Sequence, residues 1–274
     1  MSNNIKQILL LGCDVNKDKD LTKVKLTDKE KYQRSDSMII VLINMETNRL
    51  ALVSLMRDVW VNIEGYGQSR INAAIVKGGP KLAVNVVNEY FDLQIDDYVI
   101  LNMENLVKIV DELGGIDIEL TDEEIYYINE EIADVKSIVG YKEDIPKLKE
   151  AGIKHLNGVQ TLTHVRDRYF GYCWKRGERQ RNVLKAMATK AKNITNKKAM
   201  IKLGIKMLKY VKTSLKLNDV IALAKLALNI NISEIKTHTI PTEGTYNMVN
   251  DGEWHFEIDF IENSMQLKEL METL

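Results

Sequence analysis

Only nine of the 38 basic residues are arginine, and eight of them fall in four short clusters: Arg34; Arg57 and Arg70; Arg166 and Arg168; and Arg176, Arg179 and Arg181. Lysine does the general solvating. Arginine gathered in this way marks places where a planar fork of donors is needed and a point charge would not serve, and its usual targets are carboxylate and phosphate. Surface ion pairs are the competing reading for any single arginine. They suit the set less well, because several of these arginines adjoin small, turn-forming or acidic residues at the ends of expected strands, where loops of one sheet edge converge on a ligand. Arg166 and Arg168 are two apart and would diverge by roughly 200° within a helix, so they are placed at a helix end.

Two aspartates join them. Asp14 follows the first expected strand and Asp36 begins the second, so neighbouring strands would bring both carboxylates to one rim. Paired carboxylates beside phosphate-binding arginines can hold Mg²⁺, a hard ion that bridges protein carboxylates to substrate phosphate. The alternative, a loop aspartate and a strand-start aspartate with no shared task, stays open on spacing alone. Cys13 and Cys173 lie far apart with no CxxC or Cys/His cluster, which argues against zinc. His155, His164, His238 and His255 form no i, i+4 pair and are read as structural.

The elements that must position these residues follow from hydrophobic patterning. Ile8 to Gly12 is a short continuous apolar run that ends at Gly-Cys-Asp, as a buried strand does. A lysine- and aspartate-rich loop, Val15 to Gln33, separates it from DSMIIVLINM and RLALVSLM, two strands joined by a tight turn at Glu46-Thr47-Asn48. The segment holding Gly65 and Gly67 reads as a loop. Ile71 to Val76 reads as a short helix stopped at Gly78-Gly79-Pro80, with Pro80 opening a second helix to about Phe91. YVILN, a helix from Met103 to Leu113 and a strand from Ile116 to Leu120 follow. Asn157 to His164 and Glu178 to Lys192 are expected helices separated by a loop, RDRYFGYCWKRG. Ala199 to Val211 and Asp219 to Leu228 are two more, the second apolar enough to be largely covered. IKTHTIP is strand-like, and Ile258 to Leu270 is amphipathic. This succession predicts an α/β fold, a sheet flanked by helices, in one domain over residues 1–274 with no linker or repeat.

Composition excludes some functions. With 38 basic and 39 acidic residues the net charge is -1, so no global field draws the chain to nucleic acid or an anionic membrane and any anion site must be local, and no compact helix-turn-helix signature is present. No run of about 18 apolar residues spans a bilayer. The opening MSNNIKQ lacks the regions of a signal peptide, although a start just before a strand is compatible with an anchor upstream.

Taken in order, LLLGCD, RSDSMIIVLIN, SLMRD, RINAA followed by GG, GGIDIEL, LNGVQTLTHVRDRY and ERQRNVL resemble the successive motifs of the LytR-CpsA-Psr domain. They cover Ile8 to Leu184, leaving 196–274 as a helical end of the same domain. The resemblance implies a mixed sheet between helices (an α-β-α sandwich), an apolar pocket for a polyprenyl chain and an arginine-rich mouth for its pyrophosphate. It further implies an N-terminal membrane anchor, missing from this chain, and a place on the outer face of the bacterial cytoplasmic membrane. The implied reaction moves wall teichoic acid, capsule or a similar glycopolymer from undecaprenyl pyrophosphate to peptidoglycan, with Mg²⁺, or Mn²⁺ in its place.

Carried over by motif, Asp14 and Asp36 would hold the metal, with acceptor activation an open role. Arg57, Arg166, Arg168, Arg179 and Gln180 would bind the phosphates, joined by Arg34 and Arg70. Catalysis would rest on Asp14, Asp36, Arg57 and Arg166. Two departures stand out. The family's Gly-Asp-Phe-Gly-Arg-like segment is here the shorter GYCWKRG, with Cys173 near the aspartate position, and Met56 and Arg70 replace the usual proline and lysine. Pyrophosphate hydrolysis and non-catalytic binding of the carrier, with a regulatory role, are the rival readings.

Overall fold

The apolar run at Ile8 is the middle of a longer strand. In a computed structural model of the chain, residues 4–15, 32–167, 169, 172–194 and 196–274 are described, and most of the expected Val15–Gln33 loop lies outside them. The elements are β1 (Ile5–Val15), β2 (Tyr32–Asn44), β3 (Leu50–Leu55), β4 (Trp60–Ile63), β5 (Gly67–Arg70), α1 (Ala74–Phe91), β6 (Asp97–Leu101), α2 (Met103–Glu112), β7 (Ile116–Leu120) and α3 (Asp122–Val139). They continue as β8 (Gly152–Leu156), α4 (Gly158–Arg166), α5 (Tyr172–Lys192), α6 (Lys197–Met207), β9 (Lys212–Thr213), α7 (Leu217–Ala227), β10 (Lys236–Ile240), β11 (Tyr246–Asn250), β12 (Trp254–Ile258) and α8 (Phe260–Glu272).

The chain packs as two compact units, one of residues 1–102 and 211–274, the other of residues 103–210. The first holds a six-stranded mixed sheet in the order β10-β3-β2-β1-β6-β9. β1–β2, β2–β3 and β6–β9 are antiparallel, whereas β1–β6 and β3–β10 are parallel. Every residue from Met38 to Ile43 and from Ala51 to Leu55 is buried, so neither face of the sheet meets solvent there, as expected of a sheet between helices. The β2–β3 turn closes because Asn44 Oδ1 accepts from the Glu46 and Thr47 amides at 2.9 and 3.1 Å and Asn48 takes a left-handed φ of 58°. α1 breaks at Gly79, whose φ of 76° no helix interior permits, immediately before Pro80.

Four expectations need correction. The Gly65–Gly67 segment is the tip of a β4–β5 hairpin, Trp60 pairing with Arg70 and Ile63 with Gly67. The stretch read as a loop before Glu178 becomes helical from Tyr172, because the inner face of α5 is lined by Arg176, Arg179 and Val183 at i, i+3, i+7, so its helical period is written partly in arginine. The end of the chain, 196–274, is not wholly helical: it adds β10 to the sheet and forms the β11–β12 hairpin. α7 is also less covered than its composition predicts, with Val220, Ala224 and Leu226 its buried residues.

The second unit is built around α2, α3, α4 and the small β7–β8 sheet. Gly158 opens α4 where it touches α2. A Cβ there would lie 2.3 Å from the Val107 carbonyl oxygen, so the glycine of the LNGVQ motif is what lets the two helices meet. Its amide donates to Asp111 Oδ1 at 2.7 Å, and Asn157 caps the helix through the Gln160 amide.

Candidate functional site

Two arginine clusters emerge, one in each unit. In the first unit the extended conformation of β2 puts Arg34 and Asp36 on one face, both exposed. Arg57 and Asp58 follow β3, and Arg70 ends β5. Together they make a ladder of alternating charge. Arg57 Nη1 contacts Asp36 Oδ1, and Arg57 Nε lies 3.2 Å from Asp58 Oδ2. Arg70 Nη1 lies 3.4 Å from Asp58 Oδ1, and Arg70 Nε lies 3.3 Å from Glu253 Oε1, which also takes Arg34 Nη1 at 3.2 Å.

Asp58 is the buried rung, its side chain 4% exposed. Burial alone works against the Arg57 charge, but Asp36 and Asp58 outweigh it and hold the guanidinium above its ordinary range. Glu253 arrives from the β11–β12 hairpin, which is fixed in three ways: the Phe256 amide donates to the Asp58 carbonyl at 2.9 Å, Val59 bridges to Phe256, and the buried His255 ring stacks on Trp60 at 4.1 Å.

Asp14 lies on β1 beside a register shift that follows the Cys13–Ser35 pair, so Asp14 and Asp36 occupy the same end of two neighbouring strands. Their fields meet at Cys13. Its buried thiol donates to the Gln33 carbonyl at 2.8 Å, and its pKa is pushed up to about 12, first by desolvation and then by Asp14 and Asp36. Cys13 is therefore an inert thiol sealing a β-bulge rather than a nucleophile.

In the second unit Arg166 is the last residue of α4, with Nη1 against the Met103 sulfur. Arg168 lies outside the described residues. Arg179 sits in a buried network: its Nε lies 2.8 Å from Glu124 Oε1, its Nη2 lies 2.8 Å from Asp167 Oδ2, and its Nη1 donates to the Asp167 carbonyl at 3.3 Å. Gln180, next on α5, is half-buried. Glu124 is also the capping-box residue of α3, accepting from the Thr121 amide at 3.1 Å. One carboxylate thus ties the start of α3 to the arginine of α5.

His164 completes this network. It is buried, with Nδ1 4.0 Å from Glu124 Oε1, and its pKa falls to about 4, chiefly because burial disfavours the cation and Arg179 adds to that, against the pull of Glu124 and Asp167. The unfolded imidazole takes up a proton near 6.5 and the folded one only near 4, so between these values the unfolded state holds more protons and stability falls as the pH drops. Burial tends to raise Glu124, yet Arg179, Thr121 and His164 hold it below the ordinary 4.5, which adds a further loss in stronger acid. The stability lost between pH 6.5 and 4 is expected to be on the order of 3 kcal/mol. Denaturant midpoints across this range should fall in the parent and fall much less in His164→Gln; an equal fall in both would remove His164 as the source.

Sequence reasoning missed Asp58, Glu124, Asp167 and Glu253, four carboxylates that join Asp36 in holding the arginines. Thr121 followed three residues later by Glu124 is a capping-box signal, and Asp251-Gly252 a hairpin signal. Nothing in the sequence marks Asp58 or Asp167 as paired with distant arginines.

These features define an α/β protein with a mixed sheet and arginine–carboxylate clusters at the ends of its strands and helices. The chain belongs to the LytR_cpsA_psr family, whose profile matches residues 1–272 and so takes in both units. It is 29% identical over 251 residues to Biofilm regulatory protein A of Streptococcus mutans serotype c, covering 87% of this chain and 57% of that protein. It is 28% identical over 254 residues to TagV, a polyisoprenyl-teichoic acid–peptidoglycan teichoic acid transferase of Bacillus subtilis strain 168, covering 88% and 60%. The chain therefore spans less than two thirds of these relatives. A solved structure, TagT bound to LI-WTA, is 25% identical with a TM-score of 0.72, covering 99% of this chain and 90% of that one.

Proposed function

We propose that the chain attaches a glycopolymer carried on undecaprenyl pyrophosphate to peptidoglycan, at the outer face of the bacterial cytoplasmic membrane. The observation that carries this reading is the ladder Asp36–Arg57–Asp58–Arg70–Glu253–Arg34, with Asp14 on the adjacent strand, in a chain of this family. Relatives named as teichoic acid transferases, and TagT bound to LI-WTA, support it.

In the proposed reaction a peptidoglycan sugar hydroxyl attacks the glycopolymer-side phosphorus. A P–O bond to the sugar forms, the phosphoanhydride breaks, polyprenyl phosphate leaves and the hydroxyl proton passes to a base. Arg57, with Arg34 and Arg70 in the same ladder, offers forked donors to phosphate oxygens where charge develops. The family motifs give Arg166, Arg168, Arg179 and Gln180 the same ligand chemistry, although the buried ion pairs of Arg179 make it a support of the chain as well.

Asp14 and Asp36 fit a divalent cation as two hard carboxylate donors on neighbouring strands. Mg²⁺ takes one or two protein carboxylates with phosphate and water completing its shell. Among the described residues no group of three or more His, Cys, Asp or Glu side chains gathers to hold a metal alone, so substrate phosphate would be part of any such shell. When bound, Mg²⁺ or Mn²⁺ would neutralise phosphate charge beside Asp14 and Asp36.

The test is transfer of a defined undecaprenyl pyrophosphate-linked saccharide to a peptidoglycan oligomer, with and without Mg²⁺, in the parent and in Arg166→Ala. Metal-dependent coupled product, lost in the variant, is the expected result. Free phosphorylated saccharide without coupling would replace the proposal with hydrolysis, and binding without turnover with a carrier-binding or regulatory role.

A further inference from the structure

No aspartate or glutamate occurs between Glu178 and Asp219, a span that carries ten lysines and two arginines in a chain whose net charge is -1. The structure concentrates part of this charge on α6. At 100° per residue, Lys198, Lys202, Lys206 and Lys209, the last in the turn that follows the helix, fall within about 80° of arc. All four are exposed. Lys206 and Lys209 meet Glu112 of α2, whereas Lys197, Lys198 and Lys202 have no ion-pair partner among the described residues.

The opposite face carries Met200, Leu203 and Met207, of which Met200 is buried. Ile201, Ile205 and Leu208 border the lysine stripe, and Ile205 is 43% exposed. The placement of charge works against the helix itself. Lys197 and Lys198 occupy its first turn, where the macrodipole disfavours cations and no acidic residue offsets them; Asn196 alone caps it, through the Lys198 and Ala199 amides. A stripe of cations that weakens its own helix, with Ile205 exposed and Ile201 and Leu208 half-buried along one border, matches the surface of an anionic bilayer. Lysine heads reach headgroup phosphates while the aliphatic border enters the acyl boundary.

We propose that α6 docks the chain flat on an anionic phospholipid surface. This contact is separate from the transfer reading and needs no turnover, so either can fail alone.

Co-sedimentation of the 274-residue chain with phosphatidylglycerol-containing vesicles and with pure phosphatidylcholine vesicles tests it. Binding to the anionic vesicles that weakens with salt is expected. It should fall roughly fivefold for each lysine replaced in Lys198→Gln and Lys202→Gln, and not at all in Lys147→Gln with Lys149→Gln on another exposed segment. Ile205→Ser should weaken vesicle binding while leaving binding to soluble polyphosphate unchanged. Equal binding to both vesicle types, or unaltered binding by the α6 variants, would overturn the proposal. So would an unchanged vesicle affinity in Ile205→Ser together with displacement by polyphosphate, which would make the stripe a polyanion site instead.

Discussion

Arg179→Met is expected to lower the stability of the protein by about 3–5 kcal/mol, the cost of stranding buried charge. The guanidinium lies between Glu124 and Asp167, at 2.8 Å from each, and Asp167 is 1% exposed. Removing it leaves two carboxylates with little water to turn to, and one of them also caps α3. Neutralising them in the same background, with Glu124→Gln and Asp167→Asn, should recover a large part of the loss, because the penalty belongs to the uncompensated charges rather than to the missing contacts. Denaturant midpoints of the single and triple variants make the comparison. If the triple variant were no more stable than Arg179→Met, the buried-charge account would be wrong.

Arg57→Ala is expected to reduce the rate of glycopolymer coupling by about 10²–10³-fold, the usual consequence of removing one donor from a charge-developing site. Arg57 bridges the exposed Asp36 and the buried Asp58 through different nitrogens, so its plane is fixed before any phosphate arrives. Arg57→Lys keeps the charge but has no fork with which to engage both carboxylates, and should restore a minor part of the rate. Single-turnover coupling at saturating carrier separates this loss from weaker binding. Coupling in Arg57→Ala within a fewfold of the parent would exclude Arg57 from the chemistry.

How much of this was legible depended on what each face was made of. β1, β2 and β3 could be read because each carries a run of largely aliphatic residues, Ile8 to Leu11, Met38 to Ile43 and Leu50 to Leu55. The break at Gly79-Pro80 was legible for a backbone reason, a φ no other residue holds comfortably. α5 was only half legible, since its inner face toward the N-terminus is Arg176 and Arg179, which a hydrophobic pattern counts as outside. The same masking affected the site. The arginines stood out against a lysine background, but their partners are carboxylates among 39 acidic residues, and pairing such as Asp58 with Arg70 exists only once the β4–β5 hairpin has folded back. Glu253 needed a hairpin whose Asp-Gly turn was visible and whose docking on Asp58 was not.

The first unit is discontinuous: its sheet draws β10 from residues beyond 210, while 103–210 form a unit of their own. For a chain delivered from its N-terminus, this sets an order of events. Residues 103–210 can all have emerged while β3 still presents a bare hydrogen-bonding edge and Arg70 still lacks Glu253. Synthesis must pass Glu253 before the charge ladder is whole, so a ribosome that stops short of β10 releases a chain with an open sheet edge and an incomplete site.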